Sequence, residues 1–462
     1  MTLFGTAGIR GPVDEVVTPE TALEVGRAVG RDGDEFVVGR DGRETGPALA
    51  AAMEAGLESS GADVYRVGML PTPALAYASQ GRRGVMLTAS HNPPMDNGIK
   101  VFDDGVEYAR DAEERVEDRI RKQEPPAPWG QWGDGFREAV LGDYQAAVAD
   151  YTRGLGDEDG TEVDEEKPLT GVRVVVDCGT GMASLATPQV LRMLGADVVA
   201  LNANVDGHFP ARESKPTAET LTDLIAFLGR SDFDIGLAHD GDSDRIVVVT
   251  GDGEVVHEDT VLAILAEYYV RGSDAADPVV VTTPNASARI DERVAAGGGR
   301  VERVRLGALH EGIARETAAG TDDTEIVFAA EPWKHIHTAF GGWIDGVVSA
   351  AVLTRLVAER GSVAALRAPV SERPYRKVSV ECPDSAKSET MATLATTLPE
   401  TFPDGDVDTD YGVRVDMPDG SWVLVRPSGT EPYVRVYAES EDVEQLVETA
   451  VATVKQAVAD AR

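Results

Sequence analysis

Ser90 ends an apolar run in a place where regular structure must stop. Gly84 to Leu87 is short and apolar enough for a buried strand, whereas Ser90, His91, Asn92, Pro93 and Pro94 can continue neither ladder nor helix. A serine hydroxyl is a weak nucleophile at neutral pH and needs an adjacent base. His91 is its neighbour, but consecutive side chains on an extended segment point to opposite faces, so the sequence predicts no Ser–His couple. A turn serine capping a helix after Pro93 suits the same residues. Further on, HDGDSDR sets Asp240, Asp242 and Asp244 at alternate positions between the runs DIGLA and RIVVVT. One tight loop can aim three such carboxylates at a hard cation. The same alternation in DGDVDTD (404–410) follows Pro403 in a loop-like stretch and reads as solvated. In RPSGTEP, Gly429 admits an anion close to the backbone, Ser428 and Thr430 offer hydroxyls, and Arg426 offers a forked cation. Together they suit a phosphate cradle; a Pro-Ser-Gly hairpin turn is the plainer reading.

The elements that must hold these residues recur. A strand, a polar glycine loop, an apolar-periodic helix, a glycine stop and a second strand follow one another in EFVVGRDGRETGPALAAAMEAGLESSGADVYRVG. The phrase returns from Gly171 and again from Asp277. Alternating strand and helix predicts parallel or mixed sheets covered on both faces. Each phrase is followed by a short apolar strand that stops in unusual chemistry: GVMLTASHN, DIGLAHDGDSD and EIVFAAEPWKH. Ligands of open α/β sheets gather at the carboxyl ends of strands, so the three ends are expected around one shared cleft. After RAPVSERPY the character changes to alternating strands closed by the helix DVEQLVETAVATVKQAV. The expected fold is therefore three similar α/β domains and a smaller C-terminal α+β domain, over residues 1–153, 154–254, 255–368 and 369–462. An acidic, glycine-rich linker (154–168) separates the first two.

Composition narrows the setting. The chain has 462 residues, too many for one core, and no apolar run approaches the roughly 18 residues that cross a bilayer. Its start lacks the basic and apolar regions of a signal peptide, so a soluble cytoplasmic protein without a membrane partner is expected. Cys178 and Cys382 lie far apart without metal-type spacing and read as buried thiols. Against 80 acidic residues stand 43 basic ones, a formal net charge of -37, and lysine fills only eight of the basic positions. Acidic excess spread along the whole chain suits a halophilic, salt-saturated cytoplasm and argues against nucleic-acid binding. In molar salt the Debye length is about 3 Å, so local charges must do the recognising. The sequence does not speak to oligomeric state.

Four motifs in order, FGTAGIRG, TASHNPPMDNGIK, DGDSDR and RPSGTEP, resemble those of the α-D-phosphohexomutase superfamily of phosphoglucomutases and phosphomannomutases, over essentially the full chain. The resemblance implies a mutase that moves phosphate between the 1- and 6-positions of a hexose, glucose or mannose, by way of a hexose 1,6-bisphosphate intermediate and activator. Ser90 would carry the phosphoryl group. One Mg²⁺ per chain would sit on Asp240, Asp242, Asp244 and an oxygen of phosphorylated Ser90, which needs its negative charge compensated. Arg10, Lys100 and Arg245 would flank the transferring group, with Lys100 and His91 as candidates for proton traffic. Arg426, Ser428, Gly429 and Thr430 would bind the substrate's own phosphate. The stretch around His310 falls at a sugar-selective loop. In FAAEPWKHIH the family's sugar loop is altered: Glu331 and His335 keep their spacing, while Trp333 and Lys334 replace a Ser-Gly pair. Glu331 would grip the 3- and 4-hydroxyls, and Lys334 would repel the ammonium of a glucosamine phosphate. A phosphoglucosamine mutase, a metal-dependent phosphatase and a non-catalytic sugar-phosphate-binding paralogue are the rival readings.

Overall fold

The computed structural model describes residues 3–5, 8–156, 164–429 and 431–461. It is a mixed α/β protein. The first sheet runs in the order β1 (Ile9–Pro12), β5 (Asp96–Asp103), β4 (Arg83–Leu87), β2 (Glu35–Arg40), β3 (Asp63–Met69), β7 (Gly135–Arg137), with β6 (Val106–Glu107) paired to β5. Strands β2, β3, β4 and β7 pair in parallel, and β5 returns antiparallel to β4 with Lys100 opposite Met86. Helix Pro19–Val29 begins at Thr18, whose hydroxyl accepts from Thr21 N, and Pro19 fixes its first turn. Phe36, Val38, Val85, Leu87 and Ile99 form the core between sheet and helices.

The second sheet has the order β11 (Ile246–Thr250), β10 (Ile235–His239), β8 (Arg173–Asp177), β9 (Asp197–Leu201). Every residue of β10 and β11 is buried, as expected of a sheet covered on both faces. The hairpin between these two strands is the HDGDSDR loop. Further along the chain, β12 (Asp277–Thr282) pairs in parallel with β13 (Arg300–Arg303), and β14 (Thr324–Glu331) pairs antiparallel with β15 (Lys334–Ile336). The C-terminal sheet is wholly antiparallel, in the order β16 (Tyr375–Glu381), β20 (Tyr433–Glu439), β19 (Trp422–Pro427), β18 (Val413–Asp416), β17 (Asp406–Asp408). Helices Asp384–Thr401 and Val443–Asp460 cover it, with Leu394, Leu398, Val423 and Val436 among its core. DGDVDTD is therefore not a loop throughout. Its centre is the short edge strand β17, with Asp406 and Val407 exposed.

The chain divides into two compact units, Met1–Val261 with Val327–Arg367, and Leu262–Ile326 with Ala368–Arg462. The Ser90, Asp240–Asp244 and Glu331–His335 stretches all belong to the first unit, and Arg426–Gly429 to the second. Among the described residues no helix is long and apolar enough to cross a membrane.

Candidate active site

Strand β4 delivers Thr88, Ala89 and Ser90 into the interior, and Ser90 is fully buried. Its backbone is left-handed, φ 51°. That conformation is uncommon for a residue with a Cβ and persists only where the surroundings hold it. Ser90 N donates to Thr88 Oγ1 at 2.9 Å, and Ser90 Oγ donates to Asp240 Oδ2 at 2.7 Å. The segment is thus not extended, contrary to the expectation that kept Ser90 and His91 on opposite faces. The left-handed turn brings His91 Nδ1 to 3.3 Å from Ser90 Oγ. Burial, then Arg245 and Arg10, hold the His91 ring down to about pKa 3, so it is neutral and weakly basic. No helix follows Pro93: residues 93–95 turn directly into β5, which rules out the capping role.

The loop after β10 gathers Asp240, Asp242 and Asp244, all buried, with one oxygen of each within 4.8 Å of the others. Among the described residues it is the single group of three or more such side chains close enough to hold a metal ion. Asp242 Oδ2 accepts from Thr72 Oγ1 at 2.7 Å, and its carbonyl accepts from Thr72 N at 3.0 Å. Asp242 Oδ1 and Asp244 Oδ1 are buried without a hydrogen-bond partner, an expensive state that a bound cation relieves. The set is all oxygen, compact and dehydrated, and it fits a hard divalent cation such as Mg²⁺. Burial, then Asp244 and Asp242, push Asp240 up to about 8. Burial would also raise Asp244, but Lys100, Lys334 and Arg245 hold it well below the usual carboxylate range. Lys100 Nζ lies 2.8 Å from Asp244, 3.4 Å from Glu107 and 3.6 Å from Asp242. Despite burial these carboxylates keep it protonated. Arg245 Nε stands 3.8 Å from Asp240 and 3.9 Å from Asp244. Arg10, on β1 opposite Gly98, has a buried Nε without a hydrogen-bond partner and acts on His91 through its charge.

Strands β14 and β15 close in a two-residue turn, Pro332-Trp333, with Glu331 opposite Lys334. Trp333 has φ 69°, the second position of a turn that glycine would enter at lower cost. Its carbonyl accepts from Ile246 N at 3.2 Å, and Lys334 bridges Arg245, so the turn docks on the aspartate hairpin. Lys334 Nζ is 3.0 Å from Glu331 Oε1. The Trp333 indole packs against the apolar cluster of Val175, Leu224 and Val247, with Lys215 Nζ 5.9 Å from its ring centroid. His335 points inward, 1% exposed, with Nδ1 3.0 Å from Ser349 Oγ. In the second unit, Arg426 lies near the end of β19 opposite Arg435, Ser428 and Gly429 follow in the turn that leaves the strand, and Thr430 lies outside the described residues. Arg426 Nη2 donates to the Tyr437 hydroxyl at 2.8 Å, and Ser428 O accepts from Lys387 Nζ at 2.6 Å. A Cβ at Gly429 would meet nothing within 4 Å, so its backbone is open to approach. His310 sits in the first turn of helix Leu309–Ala319.

Family models for the four domains of phosphoglucomutase/phosphomannomutase match residues 1–127 (α/β/α domain I), 149–253 (domain II), 257–372 (domain III) and 378–456 (the C-terminal domain). The chain belongs to the phosphoglucomutase/phosphomannomutase family. It is thereby a mutase of the phosphohexomutase superfamily, an intramolecular phosphotransferase. A phosphopentomutase of Thermococcus kodakarensis is 40% identical over 475 residues, covering 100% of this chain and 99% of that one. A protein of Methanopyrus kandleri named "Probable phosphoglucosamine mutase" is 40% identical over 457 residues, 96% of this chain and 95% of its own. Among solved structures, a phosphoglucomutase/phosphomannomutase family protein of Burkholderia thailandensis superposes with TM-score 0.82 at 26% identity, covering 99% and 97% of the two chains.

Several residues of this phosphohexomutase's site escape motif reading. Thr72, Asp41, Arg43 and Arg212 are all buried and hold the loops rather than line them. Arg212 Nε donates to Asp177 Oδ2 at 2.8 Å and its Nη2 to His239 O at 2.7 Å, immediately before Asp240. The one signal available was position: Asp41 and Asp177 close the first strands of successive repeats, where charged residues are out of place without a task.

Proposed function

We propose that this phosphohexomutase interconverts hexose 1- and 6-phosphates, with Ser90 as phosphoryl carrier. The observation that carries the reading is the 2.7 Å bond from Ser90 Oγ to Asp240 within a buried three-carboxylate cluster. In the forward step the P–Oγ bond of phosphoserine breaks while a P–O bond forms to the free sugar hydroxyl, whose proton ends on Ser90 Oγ. After the bisphosphate reorients, the same step run backwards returns the other phosphoryl to Ser90. Arg10, Arg245 and Lys100 place fixed positive charge around the group in transfer, where preorganised charge is worth most. His91, next to Oγ, is held neutral and weakly basic, so any part it takes in proton traffic is as a hydrogen-bond partner of Oγ rather than as an imidazolium acid. Asp240, Asp242 and Asp244 would hold one Mg²⁺, which when bound neutralises phosphoryl charge. Arg426, Ser428, Gly429 and Thr430 are assigned to the non-reacting phosphate. Phosphorylation of the purified chain, a cytoplasmic location and adaptation to high salt belong to the same proposal.

For the sugar we infer glucose and mannose phosphates. Glu331 is bonded by Lys334, and a cation beside the substrate disfavours an amino sugar. The names of the Methanopyrus and Thermococcus relatives favour glucosamine and pentose phosphates instead. Intact-mass analysis should find a phosphate adduct on the wild-type chain that vanishes in Ser90→Ala, together with all turnover. A fully active Ser90→Ala would sink the mechanism. Comparing kcat/KM for the 1-phosphates of glucose, mannose, glucosamine and ribose decides the sugar, and a large preference for either of the last two overturns our choice.

A further inference from the structure

We infer that Arg43 is a positioning residue for phosphoryl transfer, a clamp that holds the Ser90 loop in its left-handed, reactive conformation. The inference rests on the reading of Ser90 as the carrier. Arg43 is wholly buried and uses all five of its N–H donors. Nη2 donates to Ser90 O at 2.9 Å and Asn92 O at 2.8 Å, and Nη1 to Pro93 O at 2.6 Å and Asp96 O at 2.9 Å. Nε reaches Asp41 Oδ2 at 3.1 Å. Four carbonyls of one short turn thus converge on a single guanidinium.

The convergence solves a physical difficulty. The stretch from Ser90 to Met95 has two prolines and a positive φ, so it forms no ladder, and at its buried end, Ser90, a carbonyl without a donor is costly. A planar fork with five fixed donors answers all four carbonyls at once; a lysine ammonium, with three donors on one atom, cannot span them. The charge is balanced from the other side. Asp41 accepts from Arg43 N at 2.9 Å and from Thr88 Oγ1 at 2.7 Å, and Thr88 Oγ1 in turn accepts from Ser90 N. Arg43 and Thr88 therefore grip the two ends of the Ser90 peptide unit, its carbonyl and its amide. Domain II adds a lid: Phe209 stacks over the guanidinium at 5.2 Å, and Ser214 Oγ donates to Asn92 O at 3.1 Å. Opposite, a Cβ at Gly241 would come within 2.6 Å of Ser90 O, so the carrier loop is seated directly on the aspartate loop. Arg43 touches neither Ser90 Oγ nor a carboxylate of the triad, so its effect must pass through the placement of Oγ.

The test uses Arg43→Lys, Arg43→Ala and Thr88→Val in the full chain with Mg²⁺. Wild type must first show the Ser90 phosphate and turnover; their absence there would refute the carrier reading and not this one. Arg43→Lys is expected to lose about 100-fold or more in kcat, the scale of a 1 Å misplacement, with KM for the sugar phosphate within about threefold. Millimolar guanidinium should recover about tenfold of the kcat lost by Arg43→Ala, where ammonium does not. Thr88→Val, which frees the amide end and takes one donor from Asp41 while leaving the Arg43 fork on the carbonyls, should lower kcat about tenfold at unchanged KM. Either arginine variant with near-wild-type kcat, a loss confined to KM, or a loss that only follows the unfolded fraction without guanidinium rescue overturns the inference. If neither arginine variant folds, a Thr88→Val enzyme of wild-type kcat overturns it as well.

Discussion

At the scale of single residues, the site is a set of charges that cannot be relaxed by water. Asp242 and Asp244 each present a buried oxygen without a hydrogen-bond partner while Thr72 fixes the other oxygen of Asp242. Partners behind a metal ligand commonly contribute 10- to 100-fold to affinity, so Thr72→Val should weaken Mg²⁺ activation by about that factor. A titration of activity against free Mg²⁺ after chelator treatment measures it, and an unchanged midpoint would remove Thr72 from the site. His335 makes a second prediction. Ser349 Oγ donates to Asp345 O at 2.7 Å, so it can only accept from His335 Nδ1 and His337 Nε2, which leaves His335 Nε2 buried and bare. Burial holds His335 down to about 3, against an ordinary 6.5. Between these values the unfolded chain binds the extra proton, so stability rises with pH across the window and is lost as pH falls through it. At pH 5 the loss from this group is about 2 kcal/mol relative to pH 8. Urea unfolding of His335→Asn should therefore show a smaller drop between pH 8 and pH 5 than wild type; equal drops would contradict the assignment.

At the scale of elements, the repeated strand–loop–helix phrase and the strand ends that stop in chemistry were legible, because their hydrophobic periods are strong and local. The conformation of the carrier loop was not. Whether Ser90 is extended or left-handed depends on Arg43, fifty residues from Pro93 in sequence, and on the carbonyl seat at Gly241; no local propensity encodes either. The same holds for helix Gly346–Arg360. Its cap is Asp345, which accepts from Val347 N and Val348 N. That Gly346 is pressed against the aspartate hairpin is visible only in the fold: a Cβ there would lie 2.7 Å from Arg245 O and 2.8 Å from Ser243 O. Gly346→Ala gains about 1 kcal/mol of helix propensity at most, while forcing two backbone carbonyls aside costs about 1–3 kcal/mol. The variant should be less stable than wild type and slower, since the displaced carbonyls belong to the loop that carries Asp244. Chemical denaturation and kcat report on both, and a stabilised, fully active variant would show that the hairpin yields freely.

At the scale of the whole molecule, the excess of 37 negative charges cannot be paired internally, whatever the arrangement of the arginines. Exposed pairs do exist, such as Arg110–Glu114 and Arg115–Asp111 along one helix, but pairs open to solvent contribute little, and salt weakens them further. Self-repulsion of the unpaired remainder acts in the opposite sense and grows with the net charge. At an ionic strength of 0.1 M the Debye length is about 10 Å, comparable with the spacing of surface side chains; at 1 M it is about 3 Å, and neighbouring carboxylates cease to feel one another. Repulsion has many more partners to lose than attraction does, so screening should favour the folded chain. We expect Tm to rise steadily as KCl is raised from 0.1 M to 2 M at fixed Mg²⁺, and to rise nearly as much in choline chloride of equal ionic strength. KM for the sugar phosphate should change little above 1 M, because Lys100, Arg245 and Lys334 act from largely buried positions, where salt screens far less than at the surface. A Tm that is flat or falls with salt would show that ion pairs, not repulsion, dominate this surface. A rise in KCl alone would replace screening with specific potassium binding.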